Sequence, residues 1–241
     1  MALPSPTVDR WGKRYAAYLF DLDGTLVDTA PDIHAALNVA LLDFGFETVT
    51  LAETRDWVGQ GARRLIHRAG SAQRLADGAS FQDTELVPEK DLPLDAMQAR
   101  FLAHYASAIS TYSEPFPEMR ETLTALKRDG AELAVVTNKP EGLARALLDD
   151  LDLSSLFGAI VGADTTAETK PSALPAQFAL DQLARPIDPQ DVLFVGDSAA
   201  DVGCARALRC AVAVVSFGYT QGTDPAALGG DAVIDSFSAL L

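Results

Sequence analysis

Short apolar runs that end on polar or acidic residues recur along the chain, and this rhythm constrains the fold more than any other feature. Residues 15–20, Tyr-Ala-Ala-Tyr-Leu-Phe, run directly into Asp21, and the same character returns at 132–136, 159–161, 192–195 and 211–215. Runs this short with little polar alternation suit strands buried on both faces. Helical patterns fill the intervals at 117–129, 141–148, 173–183 and 199–208. Strands alternating with helices predict an α/β fold built on a parallel sheet with helices on both faces.

One interval breaks the alternation. Between about Thr29 and Ser113 there are amphipathic stretches at 33–44, 62–69 and 94–110 but no convincing strand, so residues 29–113 read as a helical insertion, a cap. Turn formers border it, at 28–31 on one side and at Glu114, Pro115 and Pro117 on the other, which suits two hinge segments joining the cap to a core made of residues 15–28 and 114–241. Residues 77–93 are polar and poorly periodic, and residues 1–14 read as a flexible leader.

The chain has 241 residues and a formal charge of −15. Such a field repels nucleic acid and anionic membrane surfaces, so neither is expected as a partner. A small anionic substrate meets the same repulsion, and its site needs a bound cation or clustered Lys and Arg. The two cysteines, Cys204 and Cys210, match no disulfide framework or zinc pattern and read as packing residues. No apolar run reaches the roughly 18 residues of a membrane helix, and the start lacks a signal-peptide core, so the cytoplasm is the expected location.

The chemistry gathers where the strands end. Asp21-Leu-Asp23-Gly24-Thr25 follows the first run and sets two carboxylates at one turn, where the backbone amides and the Thr25 hydroxyl can point at an anion. Alone, this pentad reads equally well as an acidic strand-end turn. Gly196-Asp197-Ser-Ala-Ala-Asp201 repeats the arrangement after the fourth run, and strand ends on one edge of a parallel sheet share a crevice. Four facing carboxylates require a cation, and Mg2+ fits because it takes hard oxygen ligands and bridges carboxylates to phosphate. Thr137-Asn138 and Lys170-Pro171 add a hydroxyl, a backbone amide and an ammonium, the groups that a phosphoryl group with charge on its oxygens requires.

Together these segments resemble the four motifs of the haloacid dehalogenase superfamily: Asp21-Leu-Asp23-Gly-Thr-Leu, Val-Val-Thr137-Asn138, Lys170-Pro171 and Gly196-Asp197-Ser-Ala-Ala-Asp201. The insertion, with Trp57-Val-Gly59-Gln-Gly61 inside it, and the later Phe217-Gly-Tyr219 are similar to the subgroup that contains phosphoglycolate phosphatases. The resemblance implies a Rossmann-like core and a Mg2+-dependent phosphate monoester hydrolase. By matching position it makes Asp21 the nucleophile that forms an aspartyl phosphate and Asp23 the general acid and base. Asp21, the Asp23 carbonyl and Asp197 become metal ligands, Thr137 and Lys170 hold the phosphoryl oxygens, and Asp201 supports the metal shell or Lys170. Ser172 and Arg209 depart from the family pattern, where His and Gly are common.

A phosphoglycolate-selective cap should present a cation to the substrate carboxylate, and Arg63, after Gly59 and Gly61, is the expected one, with Arg64 beside it. With Thr25 and Asn138, Arg63 completes the expected substrate-binding set. The partner implied is a small phosphorylated metabolite, for a monomer or homodimer. The glycines Gly59 and Gly61 follow no strand and do not complete a dinucleotide fingerprint. Other readings stay open: a generalist sugar-phosphate or nucleotide phosphatase, a phosphomutase, or a noncatalytic phosphate-binding module. A dehalogenase would have no use for Asp23 and Asp197, and a Schiff-base phosphonatase needs a lysine early in the cap, where residues 28–69 contain none.

Overall fold

The structure, a computed structural model, describes residues 14–74 and 86–241. All but the last residue of the leader, and most of the polar stretch 77–93, lie outside the described residues.

In chain order the strands are β1 (Ala17–Phe20), β2 (Val27–Asp28), β3 (Glu114–Pro115), β4 (Glu132–Val136), β5 (Ala159–Val161), β6 (Val192–Gly196), β7 (Ala211–Val215) and β8 (Ala232–Ile234). The six longest form one parallel sheet in the order β5-β4-β1-β6-β7-β8. All of the expected strands are present. β8 is an addition that the apolar pattern did not reveal, because a three-residue edge strand with two half-buried positions carries little hydrophobic signal.

Residue alternation along β1 decides what lies on each face. Tyr18 and Phe20 point with Leu133, Val135, Leu193 and Val195 into a core closed by α5 (Met119–Arg128) and α6 (Glu141–Asp150). Ala17 and Leu19 point the other way with Ala134, Val136, Val192 and Phe194, under α7 (Leu174–Asp181) and α8 (Ala199–Leu208). Every residue of β1 is buried, as the apolar run requires. The chain crosses from β1 to β4 on one side and later reaches β6 on the other, so the carboxyl ends of these three strands open on the crevice where ligands of such sheets bind.

Between β2 and β3 lie α1 (Ala30–Asp43), α2 (Leu51–Trp57), α3 (Ala62–Arg74) and α4 (Leu94–Ser107). They have an apolar core of their own, including Leu37, Leu41, Ile66, Met97 and Tyr105. α2 is too short to show a period, but its Thr50-x-x-Glu53 capping box marks its start: Thr50 Oγ1 accepts from the Glu53 N–H and the Glu53 carboxylate from the Thr50 N–H. The two connections between this helical layer and the sheet run side by side, because β2 and β3 pair antiparallel, Val27 opposite Pro115 and Asp28 opposite Glu114. Buried Asp32 in α1 fixes the joint. Its carboxylate accepts from the Tyr112 and Ser113 N–H groups and from the Ser113 hydroxyl, at 3.0, 2.8 and 2.6 Å. Among the described residues no helix is long and apolar enough to cross a membrane.

Candidate active site

The carboxyl ends of β1 and β6 bring Asp21, Asp197 and Asp201 together, with one carboxylate oxygen of each within 4.8 Å of the others. Gly24 makes this convergence possible. It sits at φ +81°, and a Cβ there would run into Asp197 Oδ2 and the Tyr219 ring. Lys170 Nζ reaches between the acids, 2.7 Å from Asp21 Oδ1 and 2.7 Å from Asp201 Oδ1. Asp201 lies in the first turn of α8, where its Oδ2 accepts from the Ser198 N–H at 3.0 Å, the Ser198 hydroxyl at 2.6 Å and the Asp197 N–H at 3.2 Å. Both of its oxygens are therefore committed, which makes it a positioning residue for Lys170 and for the start of the helix.

Burial with too little positive charge governs the electrostatics here. Burial, with Asp201 and Asp23 adding to it and Lys170 opposing it, pushes the Asp21 carboxyl up to about 7. Asp197 is also driven well above the ordinary carboxylate range, by burial first and then by Asp201 and Asp21. Burial would lower Lys170, but Asp201 and Asp21 outweigh it and hold the ammonium above the usual lysine range. One oxygen of Asp21 accepts from Lys170 and the Leu22 N–H, and one of Asp197 from the Tyr219 N–H. The other oxygen of each, Asp21 Oδ2 and Asp197 Oδ1, accepts no bond among the described residues. Three clustered carboxylates, one ammonium and two uncommitted hard oxygens suit a divalent cation of the magnesium type.

The cleft continues from these acids toward the helical layer. It is lined on the sheet side by Asp21, Asp23, Thr137, Asn138 and Lys139, and on the helical side chiefly by Val58, Gly59, Leu65, Phe101 and Tyr105. Asn138 acts as a clamp: its Oδ1 accepts from the Lys170 N–H at 3.1 Å, and its Nδ2 donates to the carbonyls of Lys170 and Gly59, at 3.3 and 3.4 Å. The amide expected to touch substrate thus ties two motifs to the loop at Gly59. Thr137 Oγ1 accepts from the Lys139 N–H at 3.2 Å, and the hydroxyl proton is left to donate.

Two expected substrate contacts fall elsewhere. Arg63 does not line the cleft. It is half-exposed on the outer side of α3 and pairs with Glu89 at 2.8 Å and Asp95 at 2.6 Å, bonds that raise its pKa further. These acids lie 26 and 32 residues further along the sequence, Glu89 within the polar stretch and Asp95 just past it, and take the cation that proximity to Gly59 and Gly61 had suggested for the site. Thr25 is fully buried and lines no part of the cleft, and its Oγ1 has no hydrogen-bond partner. The tight turn at Gly24 carries its side chain away from the opening.

Residues 18–215 match the family described as haloacid dehalogenase-like hydrolase. This chain belongs to that family. Phosphoglycolate phosphatase 1 of Pseudomonas aeruginosa is 38% identical over 223 residues, covering 92% of this chain and 77% of that protein. The phosphoglycolate phosphatase of Rhodospirillum rubrum is 40% identical, covering 93% and 88% respectively. The crystal structure of a predicted phosphoglycolate phosphatase from Haemophilus somnus superposes with a TM-score of 0.80 at 28% identity, covering 94% of this chain and 96% of that one.

Within this haloacid dehalogenase-like hydrolase, several residues beside the cleft have parts that sequence reasoning left unassigned. Lys139 is buried, with Nζ 2.9 Å from Asp23 Oδ1 and 2.6 Å from the Tyr105 hydroxyl. Burial works against its charge, but Asp23 and Tyr105 more than compensate and hold the ammonium above the usual lysine range. Tyr219 gives its N–H to Asp197 at 2.6 Å and its hydroxyl to Asp28, which Arg55 also holds at 2.8 Å. The Tyr219 hydroxyl in turn accepts from the Ala30 N–H at 2.9 Å, so a single residue links the acid cluster to the β2 joint. Of the two departures from the family pattern, Ser172 Oγ accepts from the Leu174 N–H at the start of α7, and Arg209 adopts left-handed backbone (φ 65°) just past α8. Cys204 and Cys210 are buried free thiols, raised by burial to about 12.

Proposed function

We propose that this hydrolase is a magnesium-dependent phosphatase acting through a phosphorylated Asp21, with 2-phosphoglycolate as its substrate. The observation that carries the reaction is Lys170 Nζ at 2.7 Å from Asp21 Oδ1, in a buried acid cluster that opens on an otherwise apolar cleft. The relatives named phosphoglycolate phosphatase support the substrate.

In this reading a lone pair of Asp21 attacks phosphorus while Asp23 gives its proton to the departing ester oxygen, and the phosphorus–oxygen ester bond breaks with its electrons on that oxygen. Water then attacks the acyl phosphate. Asp23 takes the proton from the water, and the bond to Asp21 breaks to restore the carboxylate and release phosphate. Splitting the transfer into two displacements lowers each barrier. Thr137 and the third N–H of Lys170 hold phosphoryl oxygens. Asp21 and Asp197, with the Asp23 main-chain carbonyl, would hold Mg2+, which when bound offsets charge on the phosphoryl oxygens.

Residues 29–113 serve as a cap over a core made of residues 15–28 and 114–241. The bonds from Gln221 Nε2 to the Val58 carbonyl at 2.8 Å and from Asn138 to Gly59 keep the cap loop against the core, where it excludes water during transfer. Small phosphorylated acids fit such a cleft better than polymers.

The test is kcat/KM with Mg2+ for 2-phosphoglycolate, sugar phosphates, nucleotides and pyrophosphate, with Asp21→Asn as the blank. The expected result is a clear preference for 2-phosphoglycolate and no turnover by Asp21→Asn. Uniform weak hydrolysis across the panel counts against the substrate, and turnover retained in Asp21→Asn counts against the nucleophile.

A further inference from the structure

We infer that Lys139 and Tyr105 form a carboxylate subsite, and that this pair, rather than an arginine of α3, makes the enzyme select phosphate esters with a carboxylate next to the ester oxygen. The inference rests on the phosphatase reading above and assigns its specificity. Lys139 comes from the turn after β4 and Tyr105 from α4, so the subsite spans the cleft and exists only where the helical layer meets the sheet.

The position follows from bond geometry. For Asp23 to protonate the leaving oxygen, that oxygen must lie within hydrogen-bond reach of its carboxylate. In 2-phosphoglycolate the carboxylate carbon is two bonds from the same oxygen, so the substrate carboxylate is forced to lie beside Asp23. Once Asp23 has given up its proton, two carboxylates lie side by side in an apolar cleft and repel strongly unless a cation lies between them. Lys139 Nζ is already there, 2.9 Å from Asp23 Oδ1, and is the one cationic side chain among the described residues lining the cleft. Asp23 and the Tyr105 oxygen occupy two directions of its ammonium and leave a third for an incoming oxygen.

The remaining wall sharpens the selection. Val58, Leu65, Phe101 and Leu143 offer nothing to the hydroxyls of a sugar or to a nucleoside, whereas a compact carboxylate needs only the ammonium and the phenol. Arg63, the alternative cation, is held outside by Glu89 and Asp95. The chemical class expected is therefore short 2-phosphoryloxy carboxylates.

The experiment compares kcat/KM for 2-phosphoglycolate with that for 2-hydroxyethyl phosphate, which replaces the carboxylate by a neutral alcohol. Wild-type protein is expected to prefer the acid by roughly 100-fold or more, as sites built to bond a charged group do. Lys139→Met should lose roughly 10- to 100-fold of that ratio. Any general harm to Asp23 or to folding lowers both substrates together and leaves the ratio alone. Tyr105→Phe removes a single oxygen and should lower the ratio about 3- to 10-fold, mainly through KM for the acid; it decides the matter if Lys139→Met does not fold. Ratios unchanged in both variants, against a preference in wild type, overturn the subsite and leave the phosphatase standing. A wild-type ratio near one removes the proposed substrate and the subsite with it. Arg63→Ala should leave the ratio at the wild-type value, and a fall there would return the role to α3.

Discussion

Lys170, in the acid cluster at the sheet end, and Lys139, in the cleft where the sheet meets the cap, are almost equally buried but face unequal charge. Lys170 stands among three carboxylates, Asp21, Asp197 and Asp201. Lys139 faces one carboxylate, Asp23, and a phenol. The sheet end is thus short of positive charge before any substrate arrives, and a divalent cation would make up the deficit. The cap end is balanced as it stands. In the proposed reading an anionic substrate spans both, with its phosphoryl group where cations are lacking and its carboxylate where one lysine can be shared. The difference separates reaction from selection: losing the first lysine should harm every substrate alike, and losing the second should lower the preference for acidic substrates over neutral ones.

The strongest test of that division is Lys170→Met. It leaves buried carboxylates uncompensated, which should cost about 3–5 kcal/mol of stability in urea unfolding. It should also lower kcat by about 10³-fold on acidic and neutral esters alike. A loss confined to 2-phosphoglycolate would erase the distinction between the two lysines.

The second effect concerns pH and metal. The native Asp21 carboxyl titrates near 7 against a reference of 3.8, and Asp197 is raised as well, so the folded chain binds more protons than the unfolded one in this window. Stability without divalent ions should therefore fall as pH rises from about 4 to about 7, by a few kcal/mol. Added Mg2+ should raise Tm more at pH 7.5 than at pH 5, because it binds the deprotonated acids. A Tm that rises across this window in the presence of EDTA would show that the sheet end is not short of positive charge.

Asp32→Asn addresses the cap end through its joint. The variant weakens three bonds to a buried carboxylate and should cost about 2 kcal/mol. Hydrogen exchange should accelerate in α1 and α4 while β1 and β6 stay protected. The smallest change expected is at Arg209, remote from the cleft. Its left-handed backbone favours glycine, and Arg209→Gly should stabilise by about 0.5–1 kcal/mol with kcat unchanged.

The sheet end was legible in the sequence and the cap end was not, for physical reasons. Asp21 and Asp197 directly follow apolar runs, and strand ends in a parallel sheet have only one place to meet. Asp201 was read from the first turn of the helix that follows, and Lys170 from its place just before a helix and from the resembled motif. Lys139 carries no such marker, because in Thr137-Asn138-Lys139-Pro140 nothing shows which side chain turns into the cleft. Tyr105 sits at ordinary core spacing on α4, and only packing shows that its hydroxyl meets a lysine from the sheet. Arg63 misled because proximity in sequence to Gly59 and Gly61 was legible while its partners Glu89 and Asp95, on later segments, were not. Thr25 belongs to a motif pointed at the site, but a turn tight enough to need Gly24 rotates neighbouring side chains to different sides.

The two-stranded ribbon of β2 and β3 also bears on how the chain folds. β1 and β4 are adjacent in the sheet, but Ala17 and its partner Glu132 are separated by more than a hundred residues, most of them in the helical layer. Pairing of Val27 with Pro115 takes that whole excursion out of the loop that must close before β1 can meet β4. Since closure entropy grows with the logarithm of loop length, once the ribbon has formed the entropic cost that remains in pairing β1 with β4 is smaller by about 1 kcal/mol. The ribbon also frees the order of the sheet from the length of what is inserted, so the inserted segment can change in size and sequence without the central strands having to search further for one another.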